Sequence, residues 1–339
     1  MSYFTGPFPA KVLQAPSARG RQRGLSLVEL MISITLGMVA VAGAISIYLA
    51  NRSSYKTIEG AARLQENARF AVEFLGRDLR EAGGIVCGGN LVQENVVLAD
   101  YPSSTHWWSD WSAGLTGYDG GSTFVAQTTG TNSGDQKSGT DAIVVWSAST
   151  ASPSVISAYD AGTSTFTVYP AQTATSGKVF TACDDTRVST FTLAQDASTT
   201  TVQADQAPTN AIKTGGFVNQ LNASAWYIGV GGSSSSTYSL WRAGLVSAQS
   251  TAALSAPAQE ILENVTNMQI TYLQGDGNGT PTDTDYVDAS TVTSWANVLA
   301  VRVVLTLATP DSVGLSTSGA SQALTQDFPF TLAIRRRLK

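Results

Sequence analysis

The chain has 339 residues, enough for one large domain or two smaller ones, and only 13% of them are charged. Its 25 acidic and 20 basic groups give a formal charge of -5, which argues against the basic footprint of a general nucleic-acid binder. Beyond about position 100, Ser, Thr, Gly and Ala dominate, as in an exported β-rich chain with polar turns rather than a cytosolic enzyme.

Met1 to Gly24 mixes prolines, glycines and scattered apolar residues with no helical or strand period, and reads as a disordered cytoplasmic leader. Its cations are Lys11, Arg19, Arg21 and Arg23, and it holds no acid; removing it leaves 16 basic against 25 acidic groups, or -9. From Leu25 to Ala50 the chain is apolar for roughly the 20 residues that a bilayer-spanning helix needs. The leader cations keep the near end in the cytoplasm and direct the rest outward. An ordinary secretory signal is cut after its apolar stretch. Here the small residue between Arg23 and Leu25 precedes it, so cleavage would leave the helix attached.

One carboxylate, Glu29, lies inside this run. An ionised side chain there costs about 2.5–3.5 kcal/mol on insertion scales, so it normally has a partner and a purpose. It reads either as a charge with an opposite partner or as a carboxylate that snorkels to the membrane surface. Gly37 and Gly43 fit close packing against neighbouring helices.

The junction Arg21-Gln-Arg-Gly-Leu-Ser-Leu-Val-Glu-Leu30 resembles the class III signal of type IV pilins and type II secretion pseudopilins. The resemblance implies a prepilin peptidase that cuts after Gly24 and methylates the new N-terminus, Leu25. It also implies that Glu29 attracts the terminal amine of a neighbouring subunit, and that the helix loosens near its glycines on assembly. Major pilins carry phenylalanine where Leu25 stands.

From Asn51 to about Ala82 the helical period continues. Ile58, Ala61, Gln65, Ala68, Val72, Leu75 and Leu79 recur at three- and four-residue steps and predict an apolar stripe with one polar interruption. Glu59 with Arg63, Arg69 with Glu73, Glu73 with Arg77, and Arg77 with Glu81 are i,i+4 pairs worth a few tenths of a kcal/mol each. Gly83-Gly84 predicts the stop. The expected object is one long helix with a globular domain packed on its second half. Arg63-Leu-Gln-Glu-Asn-Ala-Arg-Phe70, Arg77-Asp-Leu-Arg-Glu-Ala-Gly83 and the nearby Cys87 resemble PilW-type minor pilins more than GspJ-type pseudopilins.

Cys87 and Cys183 are the two cysteines of the chain and form no CxxC. In an exported protein they read as one disulfide, or else as two unlinked buried thiols; with the single His106 they build no structural zinc site. A linked loop of that size would stabilise by roughly 4–5 kcal/mol in the chain-entropy model.

After Cys87 short apolar runs bounded by Gly, Ser, Thr, Asp and Asn predict an antiparallel β domain. The expected strands are Ala142–Trp146, Ser164–Tyr169, Phe191–Leu193, Ala225–Val230, Tyr238–Trp241, Val265–Leu273, Val298–Ala308 and Phe328–Ile334. In Val265–Leu273 alternation sets Val265, Asn267, Gln269, Thr271 and Leu273 on one face, with Thr266, Met268, Ile270 and Tyr272 on the other. The last two strands are expected at the centre of the sheet, facing the helix. Trp295-Ala-Asn-Val-Leu-Ala-Val-Arg-Val303 and the closing Arg335-Arg-Arg337 again resemble PilW-type chains, whereas residues 100–250 resemble nothing recognised.

Other clusters carry less. Trp107, Trp108 and Trp111 would stack on sugars or grip a partner if exposed, and fill the core if buried. Asp276, Asn278, Asp283 and Asp285 gather oxygens as a calcium loop would. The EF-hand pattern fails there at Thr280, Pro281 and Val287, which favours a polar hairpin. The Arg335–Lys339 tail suits an acidic partner or a solvated end. There is no GxSxG, HExxH or Walker loop, no catalytic set, and no cofactor motif.

The expectation is therefore an α+β, pilin-like chain without enzymatic activity. It comprises a leader (1–24), a membrane and assembly half-helix (25–50), an amphipathic half-helix (51–84) and an outer β-rich domain (85–339). The resemblance implies a minor pilin held in the inner membrane and then built into an extracellular pilus. Its partners would be prepilin peptidase, membrane lipid, the assembly machinery, the major pilin and other minor pilins, in a complex that primes assembly at the tip. A GspJ-like pseudopilin and a membrane-tethered adhesin or sugar-binding protein are the alternatives.

Overall fold

Small and apolar residues at helical spacing decide which face of the long N-terminal helix is covered. The computed structural model describes residues 24, 26–84, 87, 92–95, 107, 113–122, 128–148, 153–197, 199–208, 212–232, 237–245, 258–282, 284–315 and 321–334. Helix α1 runs from Leu27 to Glu81. Two compact units divide between Tyr55 and Lys56.

In the first unit the Leu, Ile, Met and Val side chains of α1 are exposed on every side, Val39 at 71% and Met38 at 67%. The helix is long and apolar enough to cross a bilayer. Three of its hydroxyls are satisfied internally: Ser33, Thr35 and Ser46 donate to the carbonyls of Glu29, Ile32 and Ala42. Polar groups bonded within their own helix need no water, the condition for lying in hydrocarbon.

In the second unit α1 is covered along Gly60, Leu64, Ala68, Ala71, Leu75 and Leu79, continued by Ala82. This face corrects the expected stripe. Ala68, Leu75 and Leu79 are shared, but Ile58 is 69% exposed and Gln65 faces out. Adjacent helical residues lie about 100° apart, so turning Leu64 inward carries Gln65 away. The stripe that wins holds only Gly, Ala and Leu, and each buried leucine contributes about 1.5–3 kcal/mol. Of the four expected ion pairs the described residues form two, Glu59–Arg63 at 2.7 Å and Arg77–Glu81 at 3.9 Å. The helix ends as expected: Gly83 takes φ +68°, and its N–H reaches the Trp146 carbonyl at 2.7 Å.

Two sheets pack around this face. The smaller has the order β12-β13-β14, with β12 Val265–Gln274, β13 Val298–Leu315 and β14 Ser321–Ala333. Val301, Val303, Leu305 and Leu307 alternate into a core with Leu64, Leu75, Leu79, Leu332 and Ile334. Two expectations need correction here. Val265 is buried together with Met268, Ile270 and Tyr272, because a register shift between Val265 and Asn267 turns it to their side. And β13 is central as expected, but β14 is an edge strand.

Pro329 shows how that edge is protected. The Ile334 N–H bonds the Leu299 carbonyl across the ladder, so alternate residues Leu332, Phe330 and Phe328 face β13. Pro329, opposite Val304, then occupies a position whose missing N–H would point off the free edge. Restoring that donor with Pro329→Val is expected to leave the fold intact and to increase self-association. Light scattering over a concentration series measures this; unchanged association would mean that Pro329 does not guard the edge.

The larger sheet is built on β9, Phe217–Val230. Its second half pairs with β3 (Ala142–Ala148) and β10 (Tyr238–Gly244). These strands read as nearly unbroken apolar runs because both faces are covered. Ile143, Val145, Trp226, Ile228 and Leu240 face the helix core, whereas Ala142, Val144, Trp146, Ala225, Tyr227 and Trp241 fill a second core. Strand β2 (Leu115–Tyr118) pairs with β3, and β11 (Ala258–Glu263) with β10.

The first half of β9 belongs to a lobe inserted between β3 and β9. Its strands are β4 (Ser154–Asp160), β5 (Thr165–Tyr169), β6 (Val179–Cys183), β7 (Arg187–Thr192) and β8 (Thr201–Gln203), in the order β7-β6-β9-β4-β5-β8. The bridge between Leu193 and Ala204 brings the ends together, with the Ala194 N–H on the Gln203 carbonyl at 3.0 Å and the Asp205 N–H on Thr192 at 2.9 Å. The sheet thus curls into a ring around Ile156, Phe166, Val168, Phe180, Phe191, Val202 and Val218. Outside the ring, β1 (Val92–Asn95) pairs in parallel with β7.

Candidate functional site

The N-terminal junction is built by a helix start. Ser26 precedes the first helical residue, Leu27, and its hydroxyl accepts the Glu29 N–H at 3.1 Å, while its carbonyl accepts the Leu30 N–H at 3.1 Å. Ser26-x-x-Glu29 is a capping-box spacing, a signal present in the sequence and missing from the expectation above. Glu29 therefore sits in the first turn of α1, where a negative charge gains typically 0.3–1 kcal/mol from the helix dipole. It is exposed, and among the described residues its carboxylate takes no hydrogen bond. Gly24 is exposed, and a side chain there would meet nothing. Leu25 lies outside the described residues.

At the other end of α1, the Asp-Leu-Arg run makes a contact that spacing could not reveal. Asp78 Oδ2 accepts the Trp226 Nε1–H at 2.9 Å and the Arg242 Nε–H at 2.8 Å. Arg242 also donates to the Ser224 hydroxyl at 2.6 Å and lies 5.8 Å from the centre of the Trp226 ring. One carboxylate oxygen thus fastens the helix to β9 and β10.

Cys87 and Cys183 form a disulfide with their Cα atoms 6.0 Å apart. It ties the segment that follows α1 to β6. Trp107 is buried in the second core, so the exposed-platform reading fails for it, and Trp108 and Trp111 lie outside the described residues. In the acidic loop, Asp276 accepts the N–H groups of Asn278 at 2.7 Å and Thr280 at 3.1 Å. Those bonds hold its carboxylate below the usual range, and they commit it to shaping its own turn. Asn278 is exposed and Asp285 lies beyond the turn; Asp283 is outside the described residues, as are His106 and the Arg335–Lys339 tail. No group of acidic, His or Cys side chains among the described residues is arranged to hold a metal ion.

Asp141 joins the two sheets. Its carboxylate accepts the Gly120 N–H at 2.9 Å and the Ile270 N–H of β12 at 2.7 Å. Burial pushes its pKa up to about 6; the two N–H bonds oppose the rise, and Asp119 and Asp288 add to it. The folded carboxyl holds its proton more tightly than an unfolded one at 3.8. Its contribution to stability is therefore complete below about pH 4 and lost as the pH rises through about 6. The unfolding midpoint is expected to fall across that window, and Asp141→Asn to flatten the dependence, as followed by tryptophan fluorescence. An unchanged pH profile in the variant would remove Asp141 as its source.

Residues 19–45 match the prokaryotic N-terminal methylation motif, and residues 225–333 match the PilW family, type IV pilus-assembly protein W. The second match takes in Trp226 and Arg242, the partners of Asp78, and the whole of the smaller sheet. No curated protein and no solved structure matches the chain.

Proposed function

We propose that the chain, which matches the PilW family over residues 225–333 and the N-terminal methylation motif over residues 19–45, is a PilW-type minor pilin that primes filament assembly. It is made as a prepilin, inserted in the inner membrane by residues 25–50, cut after Gly24 by the prepilin peptidase and methylated at Leu25. The outer domain then stands in the periplasm. Glu29 neutralises the amine of a neighbouring subunit, and the chain joins other minor pilins, the major pilin and the inner-membrane machinery. The observation that carries this reading is the start of α1: exposed apolar side chains on every side, with a single carboxylate in the first turn. Such a surface is stable only in lipid or among other apolar helices, and the charge then requires a counter-charge.

A position at the filament tip suits the bulk of the outer domain, since a large subunit is easier to place at an end than in a helical shaft. Sheared, washed filaments probed with an antibody to the outer domain provide the test. The chain is expected in the filament fraction, with immunogold at filament ends. Absence from filaments would overturn the minor-pilin reading, and even labelling along shafts would overturn the tip position.

A further inference from the structure

The two sulfurs of the disulfide are not equivalent. Cys87 is half-buried and lines an open cleft of about 360 Å³ together with Asp184, Asp185, Lys213, Gly216 and Phe217. Cys183 is 2% exposed, on β6 within the core that holds Val179, Val188 and Leu221. The segment before β9 closes over its backbone: any side chain at Gly216 would collide with the Cys183 carbonyl. A reagent entering the cleft therefore meets Cys87 first.

Charged groups line the Cys87 side of the bond, and an apolar core surrounds Cys183. Asp184 follows Cys183, and its carboxylate accepts the N–H groups of Thr186, Arg187 and Lys213 at 2.8, 2.9 and 3.1 Å. Burial would raise this carboxyl, but those bonds hold it at about 2, so it stays ionised. Asp185 pairs with Lys213 at 2.8 Å, and all three groups line the cleft that Cys87 faces. A thiolate on Cys183 would lie in an apolar core, cut off from water, which makes it a poor leaving group.

We propose that Cys87 is the sulfur through which this disulfide is made and attacked, the cleft being where a thiol–disulfide oxidoreductase engages the chain. In oxidation the Cys87 thiolate attacks one sulfur of the enzyme's disulfide, and the enzyme's other sulfur leaves as thiolate. Cys183 then gives its proton to water and attacks the Cys87 sulfur, expelling the enzyme's first sulfur. The chain's two thiols become a disulfide, and the enzyme's disulfide becomes a dithiol that carries the two electrons away. The reverse path begins at Cys87 and must expel Cys183 into its unfavourable site, so the mixed disulfide forms only as a minor species that acid quenching traps before it recloses. The proposal requires an oxidising compartment and does not depend on the pilus assignment.

Two experiments on the full-length chain in detergent decide it. The wild-type protein is incubated with reduced glutathione in native buffer, quenched with acid, and the mixed disulfide located by peptide mass spectrometry. The adduct is expected on Cys87; an adduct on Cys183, an even split, or none without denaturant would overturn the proposal. In the second, Cys183→Ser and Cys87→Ser are treated with an aromatic disulfide reagent. The Cys183→Ser protein is expected to react in native buffer, and the Cys87→Ser protein only after guanidinium is added. Equal native reactivity would overturn the assignment, and the wild-type experiment stands even if either variant folds poorly.

Discussion

Glu29→Gln is expected to abolish incorporation of the chain into filaments while leaving it folded, processed and in the membrane. The substitution separates the two roles that the structure allows this side chain. As the third residue of a helix capped by Ser26, Glu29 gives its backbone N–H to the Ser26 hydroxyl, a bond that glutamine keeps. What glutamine removes is the charge, worth about 0.3–1 kcal/mol to the helix dipole. If that local role were all, the variant would assemble nearly as well as its parent. If the carboxylate neutralises a neighbour's amine, the loss is that of one partner from a desolvated ion pair, about 3–5 kcal/mol. At about 1.4 kcal/mol per tenfold, this is two to three orders of magnitude or more in the assembly equilibrium. The measurement is the ratio of chain in sheared filaments to chain in the inner membrane. A ratio near that of the parent would end the assembly role of Glu29 and return it to the helix start.

Much of the fold is legible in the residues, and what is hidden has identifiable causes. The end of α1 is written in Gly83, whose positive φ a side chain would strain. β3 and the second half of β9 are visible because burial on both faces demands apolar runs. Length alone could not choose between Leu64 and Gln65 as neighbours of the covered face; the sheets packed against α1 make that choice. The shift at Val265 is a property of the ladder and leaves no mark in the alternation. Strands β6 and β8 leave no strand pattern in the residues, for opposite reasons. Val179–Cys183 is buried throughout, Thr181 included, so it does not alternate, and Thr201–Gln203 has only three residues. The ring they help to close depends on contacts between residues distant in the chain, which periodicity does not encode.

The candidate site divides the same way. Gly24, Glu29 and the apolar run form a local pattern and could be read directly, as could the Ser26 cap. The partners of Asp78 lie 148 and 164 positions further along the chain, so a helix motif showed that this acid was present without showing what it holds. Trp107 is the reverse case. Its neighbours allowed either a ligand platform or core filling, and the covered surface of the β3–β9–β10 sheet takes it into the core.

The network around Asp78 carries the second large expectation, a loss of about 2–3 kcal/mol in the stability of the outer domain on Asp78→Ala. Both the Trp226 indole and the Arg242 guanidinium donate to the same oxygen, and the Asp78 side chain is only 18% exposed. Removing it leaves two donors facing α1 with no acceptor. The loss stays below that for a fully buried pair because Arg242, at 36% exposure, can turn partly to water. Asp78→Asn is the informative control. Its carbonyl oxygen can occupy the same place and accept both bonds, but without charge, and neutral hydrogen bonds are roughly half as strong. The order of unfolding midpoints is therefore expected to be parent, then Asn, then Ala, with Asn closer to the parent, as measured by denaturant titration with tryptophan fluorescence. Should Ala and Asn fall together, the charge rather than the acceptor geometry would be what holds the helix. Should neither move, the apolar face of Leu64, Leu75 and Leu79 would suffice to seat α1 on the sheets, and the Asp78 contact would add nothing measurable.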